Sequence, residues 1–506
     1  MKIKIKKGKM SGIGITFVLS CIAKVVGALY RIPLIRIVGA KAMGEFSLVF
    51  PIYAFAVTLI GAGITVNVAR LIIGGSYSQD GTVKRSSVIF AVLASVVAIT
   101  IVLLSRPIEF ITKCPSCSTL LKVMSISLPF STFSAVLRGY FQGKNETLIC
   151  GISYCIEPLV KTVVGLSLAP YLSIYGIAIA VSVSEVLTTV FLFLIYQSKS
   201  KETQGEIPST ALLVMPALKT AIGSAVLPLS QFFDGVIVLN ILTLSMTNVR
   251  ARELLGIFST VTSLMSLPSL AINALLSSAL NRFCDEKKRS KALLVYGSMV
   301  FLVLSVFCSS IFIFAPTVIT NLYPTFSANH TKIAINLIKV LAPYPLFFGL
   351  GRVLVVYLQG KGKFFLPSIS VALGVLVKTA TEIFVTSTLS IYASALGALL
   401  SNATAFIVNF LIVCKIENSR IYYKKAIALL FSPIIFAIVA NAFTYYSRSL
   451  LFTVVAFCVS TVTVALYLYA FVFTKENSEK NEDLSKEDTN EIYKGKNQLK
   501  GVDFFS

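Results

Sequence analysis

The sequence predicts an all-α polytopic membrane protein with about 14 transmembrane helices: two six-helix lobes related by a pseudo-twofold axis along the membrane normal, plus two extra C-terminal helices. Three observations predict this fold. The 506-residue chain is 56% hydrophobic and only 13% charged, with a mean hydropathy of +0.84, whereas soluble domains are about 25% charged. Apolar runs long enough to span a bilayer follow one another almost without a break. Short motifs of the first half recur in the second at constant spacing.

Apolar runs bounded by charged or turn-forming residues define the spans in order. The first six cover 12–38, 45–73, 87–105, 119–141, 147–170 and 174–196, and eight more cover 211–246, 254–281, 292–315, 334–358, 364–389, 391–414, 426–446 and 450–473. The basic start is not followed by a cleavage site, so the first span is predicted to be retained. The predicted domains are an N-lobe over residues 1–196, a cytoplasmic connector over 197–210, a C-lobe over 211–414, two further helices over 415–474 and a disordered cytoplasmic tail over 475–506.

Basic residues in the loops predict the orientation. With a cytoplasmic start, 21 loop Lys and Arg residues lie on the inner side and seven on the outer side. This bias predicts a multi-pass protein of the cell membrane with both termini in the cytoplasm. The net charge of +23 therefore reflects membrane topology, and nucleic acid is not an expected partner.

An internal duplication supports the two lobes. A shift of 217 residues aligns Tyr140, Gln142, Gly143 and Lys144 with Tyr357, Gln359, Gly360 and Lys361, and Leu159–Thr162 with Leu376–Thr379. A shift of 212 aligns Gly44 with Gly256 and Arg70 with Arg282. Each unit has an even number of spans, so both copies enter the membrane in the same direction, and the substrate site is expected between them.

Charged residues inside spans are candidates for function because a charge at a helix centre costs about 2.5–3.5 kcal/mol. The substrate-binding candidates are Lys24, Arg31, Arg36, Lys161 and Lys378, and the coupling or gating candidates are Glu45, Glu157, Asp234 and Glu382. Six other cations near span ends are interpreted as reaching the interface: Arg70, Lys122, Arg138, Lys219, Lys339 and Arg352.

The cations of the first span predict an anionic cargo. A cationic pocket in a low-dielectric site attracts phosphate-like groups, and arginine binds them through two parallel hydrogen bonds. An alternative applies to the repeat-related lysines: Glu157 precedes Lys161 by four residues and Glu382 follows Lys378 by four, a spacing that also forms intrahelical ion pairs with a structural role.

The opening of the chain resembles a known family. The motifs are Lys24-x-x-Gly27, Tyr30-Arg31-Ile32-Pro33-Leu34-x-Arg36-x-x-Gly39-Ala40, Gly44, Phe50-Pro51 and Gly61-x-Gly63-Ile64, with Leu264-Met265-Ser266-Leu267-Pro268 and Tyr357-x-Gln359-Gly360-x-Gly362 further on. They resemble the stage V sporulation protein B group of oligosaccharide and polysaccharide flippases. That group lies within the multidrug/oligosaccharidyl-lipid/polysaccharide exporter superfamily and is related to the lipid II flippases.

The resemblance implies a carrier that moves an undecaprenyl-pyrophosphate-linked sugar to the outer leaflet, with the last two helices forming a groove for the lipid tail. Against the lipid II flippases, Lys24 takes the place of a first-helix arginine and Glu45 that of an acid. Tyr30 and Ser263 stand where those proteins have basic residues, and their second-span arginine has no counterpart near Thr58. We therefore expect an undefined lipid-linked wall or spore saccharide as the substrate.

Two other functions are compatible with the sequence. One is a drug/cation antiporter of the multidrug and toxin extrusion type on the same fold, and the other is a non-transporting membrane scaffold for wall synthesis. Na⁺, H⁺ or the membrane potential can drive a carrier of this kind.

No enzymatic activity or cofactor is expected. The sequence has no phosphate-binding Gly-Lys-Ser/Thr loop, so ATP is not an expected partner. Its single histidine, His330, falls in an outer loop. Cys114-Pro-Ser-Cys117 has redox or metal spacing in an outer loop, and we expect either a local disulfide or two unpaired thiols there.

Overall fold

The computed structural model describes residues 26–27, 29–61, 63–199, 205–363 and 365–417. Within these ranges the protein is all-α, as predicted, and the only β-type pairing is an isolated bridge between Tyr77 and Glu206. Lys24, the predicted spans 426–446 and 450–473, and the predicted tail 475–506 lie outside the described residues.

Seven helices are described in the N-terminal half. They are α1 Arg31–Gly61, α2 Ile64–Gly74, α3 Gln79–Thr112, α4 Pro115–Ser125, α5 Leu128–Gly143, α6 Thr147–Leu172 and α7 Ile174–Lys199.

Nine helices lie in the described part of the C-terminal half, up to residue 417. They are α8 Thr210–Leu242, α9 Asn248–Met265, α10 Leu267–Cys284, α11 Glu286–Ile313, α12 Ala315–Leu322, α13 Ala328–Leu341, α14 Tyr344–Gly360, α15 Leu366–Leu389 and α16 Tyr392–Glu417.

The described helices include eleven segments that are long and apolar enough to cross a membrane. One of them, Arg31–Gly74, contains the end of the first predicted span and all of the second. Each of the twelve spans predicted up to residue 414 therefore coincides with helix over its described part, and the protein is a multi-span membrane protein.

Local sequence signals fix several helix ends. Ser78, Ser209, Thr247 and Ser327 are N-caps whose side chains accept a backbone N–H from the first turn of α3, α8, α9 and α13. Gly39 interrupts α1 with φ 82°, a left-handed conformation that a residue with a side chain rarely adopts. Two helical segments meet at this kink, so α1 contains the end of the first span and most of the second.

The repeat inferred from sequence recurs in the backbone. Ser173 and Ser390, 217 residues apart, follow α6 and α15 with φ 49° and 54°, and each donates its N–H to the carbonyl four residues earlier at 2.9 Å. Lys144 and Lys361, also 217 apart, lie over the rings of Tyr140 and Tyr357, four residues before each lysine. Positive φ is uncommon for serine, so its recurrence at equivalent positions supports a true duplication.

The two halves share one core over much of their length. We call the end with Gly39, Thr112 and Asn248 the Gly39 end, and the opposite end the Gly143 end. One buried apolar cluster joins the N-terminal half to the C-terminal half near the Gly39 end, through residues such as Ile257 and Leu337, and also includes Leu213 and Ala217 at the start of α8. A separate cluster, which includes Phe283 and Tyr357, fills the rest of the C-terminal half near the Gly143 end. The halves are therefore packed together at the Gly39 end, and toward the Gly143 end the start of α8 keeps them in contact.

A reciprocal glycine contact closes the Gly39 end. A Cβ on Gly44 of α1 would lie 1.9 Å from the Arg252 carbonyl oxygen, and one on Gly256 of α9 would lie 1.8 Å from that of Ala40. The 212-residue shift maps Gly44 onto Gly256 and Ala40 onto Arg252. Small residues let two helices approach to backbone contact. We call this contact the gate crossing.

Substituting alanine at the gate crossing should prevent the close approach. We expect Gly256→Ala to destabilise the closed arrangement by about 1–3 kcal/mol, because the new methyl group must displace the backbone of α1. Thermal unfolding of the detergent-solubilised protein, followed by fluorescence-detected size-exclusion chromatography, measures the change as a lower Tm.

Gly297→Ala is the matched control. Gly297 lies within α11, and a Cβ there meets nothing within 4 Å, so alanine should leave Tm unchanged or raise it slightly. Equal Tm values for the two variants would show that the crossing does not contribute to closure.

Candidate functional site

Arg31 joins the two halves near the centre of the molecule. Its Nη1 donates a hydrogen bond to Ser263 Oγ of α9 at 2.5 Å, and the same hydroxyl donates to the Ser259 carbonyl at 2.7 Å. Among the described residues, no carboxylate lies within ion-pair distance of this guanidinium. The positive charge of Arg31 is therefore held by a neutral hydroxyl and remains available to an anion.

Arg36 binds the end of a helix in the other half. Its guanidinium donates to the carbonyl oxygens of Asn321 at 2.9 Å and Leu322 at 2.6 Å, the last two residues of α12. Carbonyl groups at a helix C-terminus carry partial negative charge and stabilise a cation. The contact makes Arg36 a tie between the halves at the Gly39 end, in addition to its predicted role in binding.

Lys161 lies against aromatic rings. Its Nζ is 5.1 Å from the ring centroid of Phe50 and 5.9 Å from that of Tyr30, and no carboxylate of the described chain is within 4.0 Å of it. Cation–π contacts stabilise an ammonium group without neutralising its charge. Lys161 thus keeps its charge beside Tyr30, the neighbour of Arg31 in sequence.

The predicted intrahelical pair of Lys161 with Glu157 is not formed, because Glu157 binds another cation. Its Oε2 is 3.1 Å from Nη2 of Arg138 on α5. The Arg138 side chain is only 11% exposed and also lies over the Tyr154 ring at 4.4 Å. The interpretation that Arg138 reaches the interface is therefore wrong: a carboxylate and an aromatic face on α6 hold it inside.

Lys378 has two carboxylate partners. Its Nζ is 2.5 Å from Asp234 on α8 and 3.9 Å from Glu382, one turn further along α15. The predicted pair with Glu382 exists, but the contact across helices is shorter. Asp234 is 5% exposed and Glu382 1%, and one oxygen of each, Oδ1 and Oε2, has no hydrogen-bond partner. Two carboxyl groups therefore face one ammonium group, and the cluster is neutral when one of the two holds a proton.

Glu45 lies at the gate crossing. Its Oε1 is 3.5 Å from Nη1 of Arg252, and both side chains are buried. The sequence places Arg252 among the outer-loop cations, but it belongs to the second turn of α9, where its backbone carbonyl faces Gly44. This ion pair joins the halves next to the glycine contact.

The structure thus places seven of the nine candidates in three groups. Arg31 and Lys161 have no carboxylate of the described chain within ion-pair distance, although the buried Glu185 acts electrostatically on Lys161. Arg36 and Glu45 link the halves at the Gly39 end, and Lys378, Asp234 and Glu382 form one cluster. Glu157 neutralises Arg138, and Lys24 lies outside the described residues.

Three contributors were not among the predicted site residues. Ser263, Arg138 and Arg252 have tertiary partners that periodicity cannot identify. The only sequence signal was indirect, since Ser263 stands where the lipid II flippases have a basic residue. The described chain contains no group of three His, Cys, Asp or Glu side chains that could hold a metal ion.

Comparison with known proteins identifies relatives in sequence and in fold. Stage V sporulation protein B of Bacillus subtilis (strain 168) is 23% identical over 479 residues, which cover 85% of this chain and 88% of that protein. The lipid II flippase MurJ in an inward closed conformation superposes with a TM-score of 0.70 and 14% identity, covering 90% of this chain and 98% of that one. An inward-facing multidrug resistance MATE family transporter of the MOP superfamily superposes with a TM-score of 0.64 and 16% identity, covering 81% of this chain and 98% of that one.

The two solved structures are too distant in sequence to show more than a shared fold. The family match is more direct, because residues 10–281, more than half of the chain, match the polysaccharide biosynthesis protein family. With its repeat, its buried charges and its gate crossing, the chain belongs to the polysaccharide biosynthesis protein family.

Proposed function

We propose that this protein is a secondary carrier that moves an anionic lipid-linked saccharide, a cell-wall or spore-wall precursor on a prenyl pyrophosphate, across the cell membrane. Membership of the polysaccharide biosynthesis family supports a saccharide as cargo. The relative named stage V sporulation protein B and the fold shared with the lipid II flippase MurJ support a lipid-linked one.

The uncompensated charge of Arg31 carries this proposal. A guanidinium within the membrane region is costly unless an anion neutralises it, and here a serine hydroxyl is its hydrogen-bond partner. Pyrophosphate offers the planar pairs of oxygens that a guanidinium binds best. Lys161 adds a second positive charge next to Tyr30, and Lys24, seven residues before Arg31, adds a third in this assignment.

Transport proceeds by alternating access. The lobes 1–196 and 211–414 rock against each other around the site, the connector 197–210 links them, and residues 415–474 hold the lipid tail. The Gly39 end faces outward and both termini are cytoplasmic, in agreement with the loop charges. The arrangement closed at the gate crossing is then the state that loads cargo from inside.

The membrane potential can drive this cycle. Moving one charge across 100 mV is worth about 2.3 kcal/mol, so an inside-negative potential favours export of an anion and inward return of an empty cationic site.

The Lys378 cluster is the coupling element in this proposal. Asp234 and Glu382 share one ammonium group, so a proton or a cation can enter to balance the remaining negative charge. Asp234 belongs to α8 and Glu382 to α15, so neutralisation changes the force between two helices of one lobe. Glu45 and Arg252 lie at the gate crossing. They respond to neutralisation of the Lys378 cluster when the lobes move.

Removing the Arg31 charge should weaken cargo binding. We expect Arg31→Ala to raise the Kd for undecaprenyl pyrophosphate in detergent about 10- to 100-fold, the loss of one or two charge-assisted hydrogen bonds. Arg31→Lys should have a Kd between those of the wild type and Arg31→Ala, because an ammonium keeps the charge but cannot form two parallel hydrogen bonds. Microscale thermophoresis measures both.

Lys122→Ala is the matched control. Lys122 is an exposed cation of α4, distant in sequence from the site, and its removal should leave Kd unchanged. Unchanged affinity in Arg31→Ala would reject the assignment of this residue. Proton-coupled efflux of a cationic dye that is lost in Asp234→Asn would favour the drug antiporter instead.

Removing Lys378 should destabilise the protein more than removing one of its partners. Lys378→Met leaves two buried carboxylates without a cation, a change expected to cost about 3–5 kcal/mol, whereas Glu382→Gln leaves the pair with Asp234 intact. Thermal unfolding at several pH values measures the cost. Lowering the pH should restore part of the Lys378→Met loss, because protonating one carboxyl removes the repulsion between the two.

A pH-independent loss in Lys378→Met would contradict this charge balance. Uptake by proteoliposomes then tests the coupling itself, because the pH dependence of wild-type transport should disappear in Glu382→Gln if that carboxyl carries the proton.

A further inference from the structure

Cys114 and Cys117 form a close pair at the Gly39 end. Cys114 is the N-cap of α4, and Cys117, in its first turn, donates its N–H to the Cys114 carbonyl at 3.1 Å. Both are free, both are 0% exposed, and their side chains lie close enough to interact electrostatically. Residues three apart share one helix face, so a bond between the sulfur atoms requires little backbone movement.

Arg252 of the other half covers this pair. Its guanidinium donates to the carbonyl of Lys113, the residue before Cys114, at 3.4 Å, while the same group pairs with Glu45. The residue that ties the halves at the gate crossing therefore lies next to Cys114 and acts electrostatically on its thiol.

The surroundings of Cys114 favour the thiolate. The interaction with the Cys117 side chain lowers the pKa of the Cys114 thiol below its ordinary value, and Arg252 lowers it further, against the opposing effects of burial and of Glu45. A cavity of about 760 Å³ at the Gly39 end has Arg106, Lys113 and Cys114 in its wall. The Cys114 side chain is nevertheless buried in the closed arrangement, and parting of α1 and α9 would expose it.

We propose that Cys114 and Cys117 are a thiol–disulfide exchange site of the gate: Cys114 reacts when the gate opens, and the disulfide that forms disfavours closing it again. The inference rests on the proposed function only for the orientation, which places the pair on the outer side, where disulfides persist.

The reaction consumes a small or protein-borne disulfide. The Cys114 thiolate attacks one sulfur of that disulfide, forms a mixed disulfide and releases one thiolate. The Cys117 thiol loses its proton, attacks the Cys114 sulfur and releases the second thiolate. The protein loses two electrons and two protons, and the oxidant takes them up as two thiols.

Oxidation changes the gate through Arg252. A disulfide sulfur is neutral and a poor acceptor, so the guanidinium loses its electrostatic interaction with the Cys114 thiol and keeps Glu45 and the carbonyl groups. Oxidation therefore weakens the contact between the two halves at the Gly39 end.

The first test identifies the bond. The purified full-length protein in lipid nanodiscs is equilibrated with oxidised glutathione, quenched with acid, alkylated, digested and examined by mass spectrometry. We expect a Cys114–Cys117 disulfide in the wild type, a glutathione adduct on Cys114 in Cys117→Ser, and neither product in Cys114→Ser. Two alkylated thiols in the oxidised wild type, or an adduct on Cys117 alone, would overturn the proposal.

The second test links the bond to the gate. Glu45→Gln weakens the ion pair with Arg252 and should speed disulfide formation about fivefold, whereas Gly297→Ala, away from the gate, should not change the rate. Oxidation should in turn speed hydrogen–deuterium exchange in peptides containing Glu45 and Arg252, and Cys114→Ser should abolish that response.

Equal oxidation rates in Glu45→Gln and wild type, or exchange that does not respond to oxidation, would show that the pair does not belong to the gate. These measurements use no lipid substrate, so their outcome is independent of whether the carrier proposal holds.

Discussion

A charge inside the bilayer must be balanced by the protein or by something that the protein binds, and the described structure uses both solutions. Carboxylates balance Lys378 and Arg138, and helix carbonyl groups stabilise Arg36. Within the described part of the chain, Arg31 has a hydroxyl as its side-chain partner, and Lys161 has aromatic rings, with the buried Glu185 beyond ion-pair distance. Both residues belong to the N-terminal half, so the positive charge without an ion-pair partner lies in that half. An anionic ligand would balance this charge.

The duplication explains why this asymmetry is informative. Repeat-equivalent positions have kept the same backbone, as the positive φ of Ser173 and Ser390 shows, so the two halves can move as matched bodies. The side chains on that backbone have diverged: Lys161 lies on aromatic rings, while its equivalent Lys378 binds Asp234 and Glu382. A change that keeps the backbone geometry and alters the charge is expected where two related sites have acquired different tasks, and the proposed function assigns cargo binding to the first and coupling to the second.

Much of the fold could be predicted from sequence, because spans are long, apolar and bounded by charge. A shift of 212 aligned Gly44 with Gly256 as repeat equivalents, but it did not predict that these two glycines are in contact. Ion pairing was harder to predict. A spacing of four residues indicates that Glu157 can reach Lys161, but it cannot reveal that Arg138 on another helix comes closer. Tertiary packing decides between partners, and one sequence without its fold contains no measure of that packing.

The gate must be strong enough to close and weak enough to open. Backbone contact between Gly44 and Gly256 brings α1 and α9 together inside the buried apolar cluster that joins the halves, and the Glu45–Arg252 pair at 3.5 Å is longer than an ideal charge-assisted hydrogen bond. Apolar burial favours the closed arrangement by about 25 cal/mol per Å². The membrane potential supplies only about 2.3 kcal/mol per charge at 100 mV, so a carrier driven by it needs open and closed arrangements that differ by a comparable free energy.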